Sequence, residues 1–380
     1  MKQVNKSVIS LVLNSFTNDS RVLKEAISLK KHGLKIKVVA LHEKGLREND
    51  LIEGIEVHRI KLKSRQWSKR RVVQLLKYIE FFYKVVTQYK DSNIIHCNDL
   101  NTLPIGVFMK KFMNKNIKIV YDSHEYQAHR AGISYFGSKL SFLLEKVLLP
   151  YCDHVIVVSE SIAKAYSVDY GITKPEVVLN TPNFLTVKKN EYFRKLYNLS
   201  ENDKIFLYQG KIAKFRGIEK LVKIFQSMPN KYHLVLMGPG GNFKNKLSII
   251  QDKNIHIHSA VEPNKVLEFT VSADYGISLI EPISLSYKYC LPNKVFEYTM
   301  AGLPMIVSAL PEMKKYVESN DIGIAVDFND TIEHLAKKLE KFSKIDYKIY
   351  KTNLNNSAKK YNWEKQEKIF LKIYDELTYD

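Results

Sequence analysis

The sequence predicts an α/β protein of two Rossmann-like domains, each an open parallel sheet wound with helices, facing one another across a cleft. Three observations carry this. A chain of 380 residues, 45% of them apolar, is long enough for two domains with full cores. Short apolar runs alternate with helical patterns along nearly its whole length, which is how parallel strands and helical crossovers read. The alternation restarts after an extended, turn-rich linker at residues 182–190, so two sheets are expected rather than one.

Residues 7–13 read as a first strand, 14–20 as a polar loop, and 21–32 as a helix that Gly33 ends. Residues 35–41 are a second strand, which completes a βαβ unit. No GxGxxG follows the first strand, so the usual dinucleotide fingerprint is absent. Residues 47–58 read as a β-rich excursion. The stretch from Lys61 to Arg71 is strongly basic and carries Trp67. It leads into a helix at 72–89 with Leu75, Leu76, Ile79, Phe82, Tyr83 and Val86 at helical spacing. Two readings stand: a basic–aromatic patch that meets anionic lipid headgroups, or a core-facing helix with a solvated start.

Strands at 93–97 and 117–121 are followed by Asp99 and by the string DSHEY. Asp99, Asp122, His124 and Glu125 therefore gather at the carboxyl ends of strands, where open parallel sheets bind ligands. A histidine among several carboxylates at that edge reads as functional. Residues 133–151 hold a leucine- and phenylalanine-rich helix that fits either a core or a membrane contact. A fifth strand at 154–159 and a helix at 161–170 precede the linker.

The second run has strands at 204–209, 232–237, 255–258, 275–279, 304–308 and 323–326, separated by helices that include 217–228, 242–252 and 264–271. Its first loop runs from Gly210 to Gly217. Gly210 permits a sharp turn, and Lys211, Lys214 and Arg216 place positive charge before a helix N-terminus. That is the chemistry of a diphosphate site. Residues 287–306 hold a polar loop and a short helix between two strands. Pro292 bars helix before it, and Gly302 with Pro304 ends it. The free N–H groups near Asn293 and the charge of Lys294 suit a phosphate. Glu297, about one turn on, can accept hydrogen bonds from a sugar diol. Helices at 330–342 and 351–361 precede a last one opened by Trp363, read as an anchoring core residue.

Lys and Arg total 59 against 40 Asp and Glu, a net +19 that suits a polyanionic partner. No nucleic-acid-binding motif accompanies the charge, so nucleic acid is not expected. The three cysteines, Cys97, Cys152 and Cys290, are scattered, which argues against a disulfide framework or zinc site and fits a reducing cytoplasm. No apolar run reaches the ~18 residues of a membrane span, and the basic start has no cleavage site, so no signal peptide is expected.

Several strings resemble one family. NDSRVLKEAISLKKHG, HCNDLNTLPIG, YDSHEY and above all PNKVFEYTMAGLPMI are similar to segments of the family 4 glycosyltransferases, enzymes of the GT-B fold. The resemblance implies that Lys211 and Arg216 are basic diphosphate ligands and that Glu297 binds the nucleotide ribose. It implies that Gly210, Asn293 and Lys294 line the donor site. It places His124 near the reacting sugar, with Asp99 beside it as a catalytic candidate, and Asn18, Asp19 and Glu125 on the acceptor side. It also implies a terminal helix that returns to the first domain. The first domain is thus set at residues 1–185 with 363–380, and the second at 190–362.

The expected activity is retaining transfer of a sugar from a nucleoside-diphosphate sugar, by same-face attack, with no metal and no other cofactor. The acceptor is expected to be a lipid-linked or glycan hydroxyl in bacterial surface polysaccharide synthesis. The enzyme is expected in the cytoplasm, peripheral on the inner face of the cell membrane through the Lys61 to Arg71 stretch. One feature departs from the family pattern. Many members carry a first glutamate eight positions before the second; here that position is Tyr289, and Glu281 has the wrong spacing. Two alternatives remain: a GT-B-fold nucleotide-sugar epimerase, and a non-catalytic polyanion-binding protein.

Overall fold

The computed structural model describes residues 6–68, 70–247 and 252–378. The basic N-terminal residues before Lys6, Lys69 of the basic stretch, residues 248–251 of the helix expected at 242–252 and the last two residues of the chain lie outside them. The chain divides into two compact units, Met1–Val178 with Glu367–Asp380, and Leu179–Gln366. The first boundary thus falls before the expected linker, and the last helix passes from one unit to the other four residues after Trp363.

The first unit is built on β1 (Ser7–Leu11), β2 (Lys35–Leu41), β3 (Asn49–Ile52), β4 (Ile55–Ile60), β5 (Ile94–Asn98), β6 (Lys118–Ser123), β7 (His154–Val157) and β8 (Glu176–Val177). Their order is β3-β4-β2-β1-β5-β6-β7-β8. Every pairing is parallel except the β3–β4 hairpin. The central strands are buried along nearly their whole length because helices cover a parallel sheet on both faces. Those helices are α1 (Ser20–Lys31), α2 (Arg71–Tyr89), α3 (Leu103–Phe108), which runs into a π-helical turn at Met109–Met113, α4 (Tyr135–Leu148) and α5 (Glu160–Tyr170).

Two helices turn outward the residues that a core would claim. In α2 the buried positions are Lys77, Phe81, Val85 and Val86, whereas Leu75, Leu76, Ile79 and Tyr83 are exposed, Tyr83 to 68%. Lys77 bends back to donate to the carbonyls of Trp67 and Ser68 at 2.9 and 3.3 Å, which ties the basic stretch to the helix. Helix α4 goes further: Glu145 is its one buried residue, and Phe136, Leu140, Leu143 and Val147 are exposed, Phe136 to 76%. Glu145 is drawn in by three phenols, accepting from Tyr121, Tyr166 and Tyr170 at 2.7, 2.5 and 2.6 Å. Among the described residues no helix is long and apolar enough to cross a membrane.

The second unit has β9 (Lys204–Gln209), β10 (Tyr232–Met237), β11 (Ile255–His258), β12 (Tyr275–Ser278), β13 (Met305–Ser308) and β14 (Gly323–Val326), all parallel. Their order is β11-β10-β9-β12-β13-β14. The helices are α6 (Tyr192–Tyr197), α7 (Ile218–Ser227), α8 (Gly241–Leu247), α9 (Val266–Thr270), α10 (Leu285–Lys288) and α11 (Asn293–Met300). After them come α12 (Pro311–Ser319), α13 (Ile332–Ser343), α14 (Tyr347–Lys360) and α15 (Trp363–Thr378). Trp363 is buried, and its N–H donates to the Pro182 carbonyl at 2.8 Å. Further along α15, Phe370 and Tyr374 are buried in the first unit.

Candidate active site

In the second unit the strand order reverses at β9, which has β10 on one side and β12 on the other. Such a switch point leaves room at the carboxyl end of the strand. Gly210 follows β9 there at φ +112, and a Cβ on it would lie 3.6 Å from the Lys294 ammonium. The loop returns to α7 through Gly217, φ +73, where a Cβ would strike the Leu279 carbonyl oxygen at 1.6 Å, so no other residue fits. Arg216 sits 4.8 Å from the centre of the Tyr287 ring. Lys294, on the first turn of α11, lies 3.6 Å from the centre of the Tyr208 ring.

Burial, and then the positive charge of Arg216, hold the Lys294 ammonium well below its ordinary pKa, with Glu297 opposing. Glu297 is half-buried and accepts from the Gln209 amide. The structure thus gathers Gly210, Arg216, Lys294 and Glu297 at one sheet edge. Lys211 and Asn293 flank it with exposed side chains; the Lys211 carbonyl accepts from Tyr208 Oη at 2.9 Å. Glu281 lies beside the same loop, its N–H donating to the Phe215 carbonyl at 3.3 Å. Burial, then Glu219, pushes its carboxyl up. Tyr289 is half-buried after α10. Gln209 and Thr270, which join this site, were not singled out by the sequence reading. The available signal was a polar residue closing the buried run of β9 directly before Gly210.

The first unit holds a second cluster. Asp122, fully buried on β6, takes two hydrogen bonds from Arg21 of α1, at 2.8 Å from Nε and 2.9 Å from Nη2. Asp99 adopts a left-handed backbone, φ +61, just past β5. Its carboxylate accepts from the His124 N–H at 3.1 Å and from the Gln127 amide. The His124 ring lies between the two acids, Nδ1 3.7 Å from Asp99 and Nε2 3.3 Å from Asp122. Burial opposes the imidazolium, but Asp99 and Asp122 outweigh it and push the pKa up to about 10. Burial likewise opposes the Asp122 carboxylate, but Arg21 and His124 hold it well below the usual range.

The four residues expected at one strand edge fare differently. Asp99, Asp122 and His124 form one network. Glu125 is half-buried, its carbonyl accepting from Ser123 Oγ at 2.8 Å. On the loop before α1, Asn18 is exposed, whereas the Asp19 carboxylate caps the helix by accepting from the Val22 N–H at 3.3 Å. Asp19 also accepts from Asn14 Nδ2 at 2.9 Å, so capping occupies it.

Behind Asp122, Glu25 and His96 are also buried, and the three could offer ligand atoms within 4.8 Å of one another. Arg21 lies 3.1 Å from Glu25 and 2.8 Å from Asp122, so a guanidinium already supplies the positive charge a metal would bring. Burial drives Glu25 well above the carboxylate range, with Arg21 opposing, and neither of its oxygens accepts a hydrogen bond. His96 Nδ1 meets Tyr374 Oη at 2.6 Å, and burial lowers its pKa. These residues do not fit a divalent ion.

Two parallel-sheet units, the second with a basic glycine-bounded loop beside a helix start, define a class of fold, and comparison with known proteins agrees with it. Residues 20–181 match the family described as Glycosyltransferase Family 4. Residues 189–362 match the family described as Glycosyl transferases group 1. The chain is a glycosyltransferase of the GT-B type and belongs to the family 4-type glycosyltransferases. Sucrose-phosphate synthase from Thermosynechococcus elongatus is 16% identical, covering 98% of this chain and 99% of that one at a TM-score of 0.81. Anabaena HepE in complex with UDP-glucose is 12% identical, covering 98% and 100%, at 0.74. WaaG, a glycosyltransferase involved in lipopolysaccharide biosynthesis, is 14% identical, covering 98% and 99%, at 0.66. No curated protein matches the sequence.

Proposed function

We propose that this enzyme transfers a sugar from a nucleoside-diphosphate sugar to a hydroxyl of a lipid-linked or glycan acceptor, with retention of anomeric configuration, in bacterial surface polysaccharide synthesis. The observation that carries the reading is the set around Gly210. Arg216, Lys294 and the N-terminus of α11 suit a diphosphate, and Glu297 suits the ribose diol. As the glycosidic bond breaks, charge grows on the departing diphosphate, and these cations stabilise it without a metal. UDP-glucose in HepE supports a nucleotide sugar as donor.

His124, kept protonated by its two acids, serves as a hydrogen-bond donor to a sugar oxygen and not as a general base. Asp99 fixes its ring. Asn18 and Glu125 are left for the acceptor, with Asp19 beside them, whose carboxylate also caps α1.

A peripheral position on the inner face of the cell membrane is supported by α2 and α4. On α4 the exposed apolar residues stand beside lysines and no exposed acid: Lys139 covers the Tyr135 ring at 4.5 Å, and Lys146 lies 6.0 Å from Phe142. Apolar side chains ringed by lysines suit the boundary of an anionic bilayer. Of the two readings of the 72–89 helix, the exposure of Leu75, Ile79 and Tyr83 favours the interfacial one.

The test is incubation with UDP-, GDP- and ADP-sugars and analysis of the products. Sugar transfer or donor hydrolysis that is lost in Glu297→Ala and Lys211→Ala is the expected result. Full turnover in both variants refutes the donor site, and epimerised donor without transfer supports an epimerase instead.

A further inference from the structure

Glu297 is not held by its own helix alone. Gln209, the last residue of β9, is 2% exposed, and its amide nitrogen donates to Glu297 Oε2. The far end of that amide meets Thr270 Oγ1 at 2.8 Å, at the end of α9 in the fully buried interior. The polarity of this chain follows from chemistry. A carboxylate only accepts, so the amide nitrogen faces Glu297 and the amide oxygen faces Thr270. Thr270 must then give its one proton to Gln209, with the Val266 carbonyl, 2.7 Å away, as the competing acceptor.

The backbone on either side is also fixed. The Gln209 N–H donates to Tyr298 Oη at 3.2 Å. That hydroxyl reaches the carbonyls of Leu207 and Ile277 at 2.9 and 3.2 Å. The residue after Glu297 is therefore tied to two strands.

We infer that Gln209 and Thr270 are positioning residues that set the ribose selectivity of the nucleotide site by fixing the rotation of the Glu297 carboxylate. The inference rests on the proposed pairing of Glu297 with the ribose diol. A carboxylate gripped from behind offers its lone pairs in set directions, and two vicinal hydroxyls match them. A carboxylate that can turn meets one hydroxyl nearly as well as two. The grip therefore favours nucleoside diphosphates with an intact 2′,3′-diol over their 2′-deoxy counterparts. Neither Gln209 nor Thr270 needs to touch the nucleotide.

The test measures, by calorimetry on the full chain, the Kd of UDP, GDP and ADP and of dUDP, dGDP and dADP. The parent is expected to bind its preferred ribonucleotide roughly ten- to a hundredfold more tightly than the deoxy form, as befits a hydrogen bond to a charged group. Thr270→Val and Gln209→Leu should shrink that ratio to a few-fold, while Thr270→Ser, which keeps the hydroxyl, retains it. A purely structural loss would weaken both nucleotides alike and leave the ratio intact. Should Gln209→Leu not fold by circular dichroism, the serine and valine variants at 270 decide. A ratio unchanged in folded Thr270→Val overturns the inference and leaves the donor site standing. Equal binding of ribo and deoxy forms by the parent, or no binding of any, overturns the role of Glu297 and the inference with it.

Discussion

Lys294 rests against the face of Tyr208, its ammonium 3.6 Å from the ring centre and the residue only 7% exposed. No carboxylate forms an ion pair with it among the described residues, and Arg216 adds repulsion. A buried lysine beside a second cation gives up its proton readily.

Binding of a diphosphate reverses that balance, because two negative charges beside Lys294 favour its charged form. Binding of the donor should therefore take up close to one proton in the pH window between the lowered pKa of the free site and the higher one of the loaded site. In that window affinity falls about tenfold per pH unit as pH rises. Calorimetry in buffers of different ionisation enthalpy measures the uptake. Lys294→Arg, charged in both states, should abolish it; heats that do not vary with buffer in the parent contradict the expectation.

His124 should titrate near pH 10 and stay an imidazolium through neutrality. A group whose pKa is raised on folding stabilises fully below its unfolded value, about 6.5, and loses that contribution as pH rises through about 10. NMR of the His124 ring in the parent, assigned by comparison with His124→Gln, follows the titration. Turnover should lack an acid limb near 6.5 from this residue. A ring that titrates near 6.5 refutes the donor role given to it.

Arg21→Met leaves the buried Asp122 with the His124 imidazolium as its remaining cation and should cost about 3–5 kcal/mol in denaturant unfolding. The native Asp122 pKa is depressed, so its contribution is present above the ordinary carboxylate value and lost as pH falls through the native one. The deficit of the variant should accordingly be largest near neutrality and shrink as pH falls through the native Asp122 pKa of the parent. Unfolding curves at neutral and acid pH that superimpose with the parent would show that the pair carries nothing.

Glu145→Leu strands the hydroxyls of Tyr121 and Tyr170, which now donate to the carboxylate, whereas Tyr166 keeps Ser123 Oγ at 2.8 Å. At about 1–3 kcal/mol for each unmatched group, a loss of about 2 kcal/mol or more is expected. Glu145→Gln keeps an acceptor and should lose clearly less. Equal losses in the two variants would mean that size, not hydrogen bonding, holds the helix.

Replacing Phe136, Leu140 and Leu143 together with serine should weaken sedimentation with vesicles containing anionic phosphatidylglycerol and leave donor hydrolysis unchanged. Retained vesicle binding would remove α4 from the membrane contact.

Much of the fold was legible because parallel strands announce themselves locally. The run Lys35–Leu41 is a strand in sequence and in structure alike, and Pro292 and Gly302 bracket α11 as their chemistry requires. The Gly210–Gly217 loop and the start of α11 were each legible for the same reason, since each is one contiguous string, though the two lie far apart in the chain. What stayed hidden depends on partners far along the chain. Arg21 and Asp122 are 101 residues apart, and Gln209 and Thr270 are 61 apart. Asp19 reads equally well as a ligand or a helix cap until the Val22 N–H is seen to point at it. Periodicity left α2 and α4 open between core and membrane contact, since it reports that a helix has an oily side but not whether the protein or its surroundings cover it.

The three phenols around Glu145 give the outer side of α4 an unusual property. Many interfacial segments are loose in water and coil only upon touching lipid, so part of the adhesion is spent on ordering them. Here the leucines already stand on a formed helix, moored from beneath by an inward carboxylate. Landing on a bilayer would then demand no chain ordering, and its strength would reflect oil and charge alone.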